Sequence, residues 1–398
     1  MRLYRNLVEA VVQNLGEIVE GKRYADKVIE KVLKQHPKWG ARDRRFIAET
    51  TYDIIRWYRL FATLTRADKH DYWALIGAWC LWKKVDLPPW PELDGLDKGS
   101  FYEALDKSQP IRRIRESIPD WLDELGENEL GERWEKEIHA LNDPAPVVLR
   151  VNTLKVTRQE LQELLNDKDG IETQRLDGLP DALFLRERQN IFTRQAFKDG
   201  LFEVQDAGSQ RIAPFLGVEP GMRVIDACAG GGGKALHLAA LMRNKGRIIA
   251  MDTEAWKLDE LKKRARRAGA SDLIETRHID SSKVIKRLEG SADRLLLDVP
   301  CSGLGVLRRN PDAKWKLSPE FIEKVKQQQQ EILQQYSAML KPGGVMVYAT
   351  CSILPSENEK QILEFLVTQG GQFEMTAQER CWPSDGSDGF FMCRMARK

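Results

Sequence analysis

Long apolar runs and a secretory leader are both missing from this chain of 398 residues. Its longest apolar stretch, residues 73–82, falls well short of the roughly 18 residues that a membrane-spanning helix needs. Residues 1–5 lack the apolar core of a signal peptide. These absences argue against a membrane protein and lead us to expect a soluble, cytoplasmic one.

Cysteine is scarce, and its spacing lacks the pairs that hold metals. No two cysteines form a C-x-x-C pair, which argues against a zinc site and against a secreted disulfide framework. We therefore expect no metal and free thiols throughout. The six cysteines stand at positions 80, 228, 301, 351, 381 and 393.

A strong excess of either charge is also lacking, because 62 Lys and Arg residues balance 60 Asp and Glu residues, for a formal net charge of +2. Such a balance neither requires nor excludes a nucleic-acid partner, so any basic surface must be local. The most basic run, residues 262–267, is interpreted as the solvated face of a helix.

The length of the chain exceeds one ordinary core and suggests several domains. Up to about residue 145, apolar positions recur every three or four residues, as in helices. A strand and a helix then begin a small α/β segment, and later apolar runs alternate with helical segments. We predict a helical domain over 1–145, a small α/β subdomain over 146–205 and a doubly wound α/β domain over 206–398.

Four successive glycines follow the first predicted strand of the third domain, which ends at Asp226. Residues 230–233 allow the backbone to turn sharply and to approach a ligand directly before a helix N-terminus. Asp252 ends the next predicted strand, where its carboxylate is placed to accept hydrogen bonds from both hydroxyls of a ribose. Asp280 follows the third strand and is similarly placed to meet an adenine amino group.

The glycine run by itself leaves three interpretations open. The spacing Gly230-x-Gly232-x-x-Ala235 satisfies the dinucleotide fingerprint, so a nicotinamide dehydrogenase is one of them. A phosphate-binding loop fits less well, because Cys228 replaces a glycine and Lys234 is followed by alanine. A tight turn without a ligand is the third, although four glycines carry an entropic cost that a purely structural turn rarely needs.

Two cysteines occupy matching positions near the end of the chain. Cys301 and Cys351 each follow a short apolar run that predicts a buried parallel strand. If these strands are neighbours, about 4.8 Å apart, both thiols face one crevice at the edge where such sheets bind ligands. A dehydrogenase needs an acid or base there, but no histidine follows His278; the candidates are Asp298 and the two thiols.

Two thiols and a carboxyl group suit methylation at carbon 5 of a cytosine. Carbon 5 is too poor a nucleophile to attack a sulfonium methyl group, but a thiolate that adds to carbon 6 makes it reactive. Asp298 is placed to share a proton with N3 as charge develops there. The hydrogen on carbon 5 must then leave so that the thiol is eliminated, and a second thiol is available to assist. Chemistry alone does not order Cys301 and Cys351.

A set of motifs runs through residues 145–398. They read Arg-Val-Asn at 150–152, Val-Gln-Asp-Ala-Gly-Ser-Gln at 204–210, Asp-Ala-Cys at 226–228, Asp-Val-Pro-Cys-Ser-Gly at 298–303, Asn-Pro-Asp-Ala-Lys-Trp at 310–315, Tyr-Ala-Thr-Cys-Ser at 348–352 and Asp-Gly-Phe-Phe at 388–391. Together they resemble the RNA cytosine-5 methyltransferases of the Fmu/Sun (RsmB-like) family, which use S-adenosylmethionine on a class I, Rossmann-like methyltransferase fold. Residues 41–46 and 55–58 resemble, more weakly, the NusB-like helical domain of its bacterial members.

The resemblance implies a role for each residue of the site. Cys351 would be the nucleophile and Cys301 would assist release of the methylated RNA; in related DNA cytosine methyltransferases the Pro-Cys thiol is the nucleophile, which keeps Cys301 as the alternative. Asp298 would contact both cofactor and cytosine. S-adenosylmethionine would be held by Cys228, Ala229, Gly230, Gly231, Gly232, Gly233, Lys234, Asp252, Asp280 and Asp298.

The cofactor loop departs from the family pattern. Where the family usually reads Cys-Ala-Ala-Pro-Gly-Gly-Lys-Thr, residues 228–235 read Cys-Ala-Gly-Gly-Gly-Gly-Lys-Ala. Gly231 replaces a rigid proline, which predicts a looser loop. A catalytically impaired RNA-binding ribosome-assembly factor is therefore an alternative function. Helix capping by Lys234 and plain packing of Cys228 are the alternatives for those side chains.

RNA contacts are expected close behind the first catalytic cysteine. Arg308 and Arg309 are placed to bind the phosphates that flank a flipped cytosine. For Asp312, Lys314 and Trp315, RNA contact and a packed corner are equally open. The resemblance implies ribosomal RNA, specifically 16S rRNA, as the partner, with tRNA as the alternative, and we expect a monomer.

Overall fold

The computed structural model describes residues 2–398, which divide into two units. The helical unit comprises the described residues up to Asp143 together with Leu307–Pro319. The sheet unit comprises Pro144–Val306 and Glu320–Lys398. Each unit buries an apolar core of its own.

The helical unit packs its helices through apolar stripes that recur at helical spacing. The longest apolar run of the sequence, residues 73–82, lies in helix α5, which is buried along most of its length. In the part of the chain that the structure describes, no helix is both long and apolar enough to span a bilayer. The helices of this unit are α1 (Arg5–Val19), α2 (Ala25–Gln35), α3 (Ala41–Arg56), α4 (Tyr58–Thr65), α5 (Tyr72–Trp82), α6 (Lys98–Ser108), α7 (Arg112–Arg115), α8 (Asp120–Leu130) and α9 (Arg133–Leu141).

The segment Leu307–Pro319 is held in the helical unit by hydrogen bonds to backbone groups. The indole N–H of Trp315 donates to the carbonyl oxygen of Ile55 at 2.8 Å. The buried amino group of Lys314 donates to the carbonyl oxygen of Arg56 at 2.8 Å and to Oδ1 of Asn142 at 3.3 Å. Of the two interpretations offered for this segment, these contacts are those of a packed corner.

The sheet unit begins with a small antiparallel sheet whose strand order is β2-β3-β1-β4. At the end of β1, the side-chain amide of Asn152 donates to the carbonyl oxygens of Gly200 and Ala268, at 2.8 and 2.9 Å. These bonds join the small sheet to the helix that follows β6 in the large one. Its elements are β1 (Val148–Val151), α10 (Arg158–Glu163), β2 (Thr173–Leu176), β3 (Leu179–Leu185), α11 (Gln195–Lys198) and β4 (Phe202–Val204).

A seven-stranded sheet with the order β10-β11-β9-β8-β5-β6-β7 forms the rest of the unit. Strands β5 to β9 are parallel, and β10 and β11 are antiparallel additions at one edge. This confirms the predicted doubly wound fold. The strands are β5 (Arg223–Asp226), β6 (Arg247–Asp252), β7 (Ile274–His278), β8 (Ala292–Asp298), β9 (Leu340–Thr350), β10 (Phe373–Cys381) and β11 (Phe390–Arg397). The helices are α12 (Ala207–Leu216), α13 (Gly233–Leu241), α14 (Ala255–Ala268), α15 (Ser282–Lys286), α16 (Pro319–Tyr336) and α17 (Glu359–Thr368).

Strand order reverses between β5 and β8. The chain runs from β5 outward through β6 to β7, and then returns to place β8 and β9 on the other side of β5. In open α/β sheets, ligands bind outside the carboxyl ends of the strands at such a reversal. Asp226 and Asp298 end the two strands that flank it.

Candidate active site

The two cysteines that follow β8 and β9 lie side by side. The strands are parallel neighbours, with Asp298 opposite Ala349, so both chains leave the sheet at the same edge. The sulfur atoms of Cys301 and Cys351 are 3.1 Å apart, and both residues are partly buried. The structure thus brings together the pair of thiols that the sequence places at matching positions.

Backbone contacts join the loops that carry these cysteines. The N–H of Gly305 donates to the carbonyl oxygen of Cys351 at 2.9 Å, and the N–H of Gly389 donates to the carbonyl oxygen of Gly305 at 2.8 Å. A side chain at position 305 would overlap the carbonyl oxygen of Gly389. Glycine is therefore required here, because only its small volume lets the three loops approach this closely.

The hydrogen bond with Cys351, together with burial, raises the pKa of the Cys301 thiol well above its ordinary value. Nearby negative charge on Cys351 and Glu357 acts in the same direction. Cys301 therefore keeps its proton at neutral pH. Since the thiolate is the reactive nucleophile, this property makes the Cys301 thiol a weak nucleophile.

Lys234 and Asp298 form an ion pair at the sheet edge. The ammonium group of Lys234 donates to Oδ2 of Asp298, and both side chains are largely buried. Burial lowers the pKa of Lys234, but the adjacent Asp298 carboxylate outweighs it, so the net shift is upward. Lys234 therefore carries a positive charge directly beside the carboxylate expected to meet the cytosine.

Asp226, the residue that ends β5, belongs to the site although its sequence pattern indicated no role for it there. Its side chain is 0% exposed, and neither carboxyl oxygen has a hydrogen-bond partner among residues 2–398. Burial raises its pKa to about 7, and the nearby charge of Asp298 adds to the effect. A buried carboxyl group without partners is unfavourable, so a donor supplied by a ligand would relieve it.

The glycine turn lies between β5 and α13. Gly230 and Gly232 have φ values of 52° and 84°, in the left-handed region that favours glycine. The N–H of Gly230 donates to Oδ2 of Asp252 at 2.9 Å. A Cβ atom at Gly232 would overlap Leu261, whereas one at Gly230 would meet nothing within 4 Å. The turn is therefore tight on one side and open at Gly230.

Two arginines hold the carbonyl groups of this turn. Arg264 donates to the carbonyl oxygen of Gly231 at 2.7 Å, and Arg150 donates to that of Gly233 at 2.6 Å. Arg150 is the first residue of the Arg-Val-Asn motif, and its side chain lies in the buried interior between the two sheets. These bonds restrain the loop at the position where Gly231 replaces the family's proline.

The remaining predicted residues differ in their burial and in the part of the chain to which they belong. Cys228 lies beside Asp226, and its pKa is raised by burial and then by the charges of Asp226 and Asp298. Asp280 is exposed just beyond β7 and accepts a hydrogen bond from Ser281. Arg308 and Arg309 belong to the 307–319 segment of the helical unit, where Arg308 is only 8% exposed. Their role toward RNA stays a prediction.

The site fits S-adenosylmethionine by the chemistry of its donors and acceptors. The unpartnered Asp226 carboxyl group suits an amino group, and the open Gly230 leaves room at the helix N-terminus. Asp252 and Asp280 supply acceptors at the ends of the next two strands. Ala229, Gly231 and Gly233 complete the turn that the sequence analysis assigned to this cofactor.

Comparison with known proteins agrees with this fold. Residues 213–396 match the family model described as 16S rRNA methyltransferase RsmB/F, and residues 118–192 match the ferredoxin-like domain of RsmF/B-like methyltransferases. The probable ribosomal RNA small subunit methyltransferase B of Synechocystis sp. is 31% identical over 389 residues, which cover 88% of this chain and 87% of that relative.

Two crystal structures resemble the fold. The protein designated PH0851 is 26% identical, with a TM-score of 0.82 and complete coverage of both chains. A methyltransferase homologue from Pyrococcus horikoshii is 28% identical, with a TM-score of 0.64, and the match covers 72% of this chain and 98% of that one.

Proposed function

Because the chain belongs to the RsmB/F family of 16S rRNA methyltransferases, we propose that it methylates carbon 5 of a cytosine in small-subunit ribosomal RNA. The observation that carries this proposal is the 3.1 Å contact between the sulfur atoms of Cys301 and Cys351, beside Asp298. One thiol can activate a pyrimidine ring by transient covalent addition, and the second is available to assist release.

S-adenosylmethionine would supply the electrophilic methyl group. The residues that would hold it are those at the ends of β5, β6 and β7, with the glycine turn between β5 and α13. Asp226 joins the predicted set, because its carboxyl group is buried with no partner among the described residues. Lys234 would hold the carboxyl group of Asp298 in place until the cytosine arrives.

Cys351 is assigned as the nucleophile. Its S–H bond breaks as its sulfur forms a bond to carbon 6 of the cytosine, the displaced electron pair moves toward carbon 5 and N3, and the proton lost from the sulfur is balanced by the one that N3 gains. Asp298 would share a proton with N3 and so stabilise the charge that develops there. The family resemblance gives this role to Cys351, and the raised pKa of the Cys301 thiol suits Cys301 to the role of a proton donor.

Cys301 is assigned to release of the product. After methylation, the proton on carbon 5 leaves, the bond between carbon 6 and the Cys351 sulfur breaks, and the ring regains its aromatic electron pair. Cys301 lies 3.1 Å from the departing sulfur, within reach to donate its proton to it. The proton lost from carbon 5 then restores Cys301, so the enzyme returns to its starting state.

RNA binding is assigned to the helical unit and to the small sheet that precedes the catalytic domain. Of the two predicted phosphate contacts, Arg309 is more exposed than Arg308. We expect the protein to act as a monomer in the cytoplasm.

The direct test is bisulfite sequencing of rRNA and tRNA from cells with the protein, cells without it, and cells carrying Cys351→Ala. One 16S cytosine should lose its methyl group in both deficient strains. Loss of a methylated cytosine from tRNA instead would identify tRNA as the substrate. Unchanged profiles in both RNA classes would overturn the enzymatic proposal in favour of a binding factor.

A further inference from the structure

Glu357 is a buried carboxylate that contacts both loops of the cysteine pair. Its side chain is 0% exposed. Oε2 accepts the backbone N–H of Ser302 at 2.8 Å, and Oε1 accepts the hydroxyl group of Ser302. Oε1 also accepts the hydroxyl group of Ser352 at 2.5 Å. Ser302 directly follows Cys301, and Ser352 directly follows Cys351, so one carboxylate holds both turns.

Further bonds fix Glu357 itself. Gln329 on α16 donates to Oε2 at 3.0 Å and also to the carbonyl oxygen of Pro300 at 3.0 Å. The hydroxyl group of Tyr348 on β9 donates to the backbone carbonyl oxygen of Glu357 at 2.7 Å. Glu357 is therefore held at both ends, with its backbone carbonyl bonded to β9 and its carboxylate bonded to α16.

The donors to this carboxylate are all neutral groups. An ionised carboxyl group removed from water is stable only when its oxygens are fully hydrogen-bonded. An amide at this position would place its –NH₂ group against the hydroxyl groups of Ser302 and Ser352, which would then have to turn and accept instead of donating to residue 357. The arrangement thus specifies a carboxylate, and it does so between two loops whose spacing matters for the reaction.

We propose that Glu357 is a positioning residue that sets the spacing of Cys301 and Cys351. The importance of this spacing for catalysis rests on the proposed function. The cysteine loops are also joined by the Gly305 to Cys351 backbone bond and by a hydrogen bond from the hydroxyl group of Ser302 to that of Ser352 at 3.2 Å, but only the Glu357 carboxylate contacts both serines as a shared acceptor. Losing the carboxylate removes this shared acceptor, so the loops should separate by a fraction of an ångström or more. Reactions that need two aligned groups are sensitive to displacements of that size.

The spacing is measurable without RNA. Phenylarsine oxide captures two adjacent thiols, with two arsenic–sulfur bonds formed and one water released, and needs both sulfurs within a few ångströms. Glu357→Gln should bind it at least about tenfold more weakly than wild type. Glu359→Gln is a matched control, because Glu359 lies two residues away and pairs with Arg380 instead of the cysteine loops. Cys301→Ala gives the background from the other thiols. Equal capture by Glu357→Gln and Glu359→Gln would overturn the proposal.

Kinetics then test the catalytic consequence. In Glu357→Gln, kcat for RNA methylation should fall about tenfold or more while KM for S-adenosylmethionine stays within about twofold; Glu359→Gln should match wild type. A Glu357→Gln enzyme with unchanged kcat would contradict the proposal. If wild type itself methylates no RNA, the proposed function fails, and the arsenical comparison still decides the positioning role. Should Glu357→Gln fail to fold, Ser352→Ala removes one of its bonds, and weaker capture by that variant is expected on the same grounds.

Discussion

Lys234 at the start of α13 forms an ion pair with Asp298 at the end of β8. This pair joins the helix that follows the glycine turn to the strand that leads to Cys301. The cofactor side and the thiol side of the site therefore share one charged contact, and a change to either partner should affect both.

Asp298→Asn should lower the rate of methyl transfer by roughly 100-fold or more, because a positioned acid or base contributes on that scale. The variant also leaves Lys234 without its carboxylate partner. Methyl transfer to unmethylated 30S subunits, measured with radiolabelled S-adenosylmethionine, gives the rate. Asp293→Asn is the matched control on the same strand, since Asp293 pairs with Lys341 at the opposite end of β8. Equal rates in the two variants would rule out a role for Asp298.

Cys301→Ala and Cys351→Ala should fail in different ways. Without Cys301, the bond between Cys351 and the cytosine forms but is released slowly, so a protein–RNA adduct should accumulate. Without Cys351, no adduct should form, although S-adenosylmethionine still binds. Denaturing gels of each variant mixed with RNA and cofactor separate these outcomes. Adduct in Cys351→Ala and none in Cys301→Ala would reverse the assignment of the two thiols.

Gly231→Pro should strengthen cofactor binding. A proline restricts the unbound loop and typically contributes about 0.4–1 kcal/mol, which corresponds to roughly a two- to fivefold lower Kd. The position has room, because the nearest atom to an added Cβ is the end of the Arg264 side chain at 3.3 Å. Titration calorimetry with S-adenosylmethionine measures the change. Gly232→Ala should act in the opposite direction, since its φ of 84° disfavours other residues and an added Cβ would overlap Leu261.

Lys314 should make the helical unit more stable as the pH rises. Burial, and then the neighbouring Arg56, lower the pKa of Lys314 well below its ordinary value. Between that lowered pKa and the unfolded value of about 10.4, the unfolded chain binds more protons, so the free energy of unfolding increases with pH. Urea unfolding followed by tryptophan fluorescence at pH 7, 8 and 9 should show this slope, and Lys314→Met should reduce it. Identical slopes would show that Lys314 does not titrate in this range.

The parts of the site that the sequence predicted are those in which the signal is local. Apolar runs in the sequence predict the strands that precede the glycine turn and the two cysteines, and the strand that Asp252 ends. The doubly wound fold then brings the ends of these strands together. Asp226 was visible as a motif residue, but its missing partners became apparent only when the buried neighbours were known.

Other features depend on contacts that no local pattern records. Glu357 is one acidic residue among several in its loop, and only the folded chain places it between Ser302 and Ser352. Arg308 stands close behind Cys301 in sequence, yet its segment packs among helices. Proximity along the chain suggested a phosphate contact, whereas burial against distant helices determined where the side chain lies.

The placement of Leu307–Pro319 in the helical unit has a practical consequence for chimeric enzymes. The polypeptide passes from one unit to the other three times, after Asp143, Val306 and Pro319. Exchange of the helical unit with that of a relative by a single splice would leave Trp315 and Lys314 facing foreign helices. A working hybrid would need splices at all three junctions, so that Leu307–Pro319 comes from the same protein as the helices against which it packs.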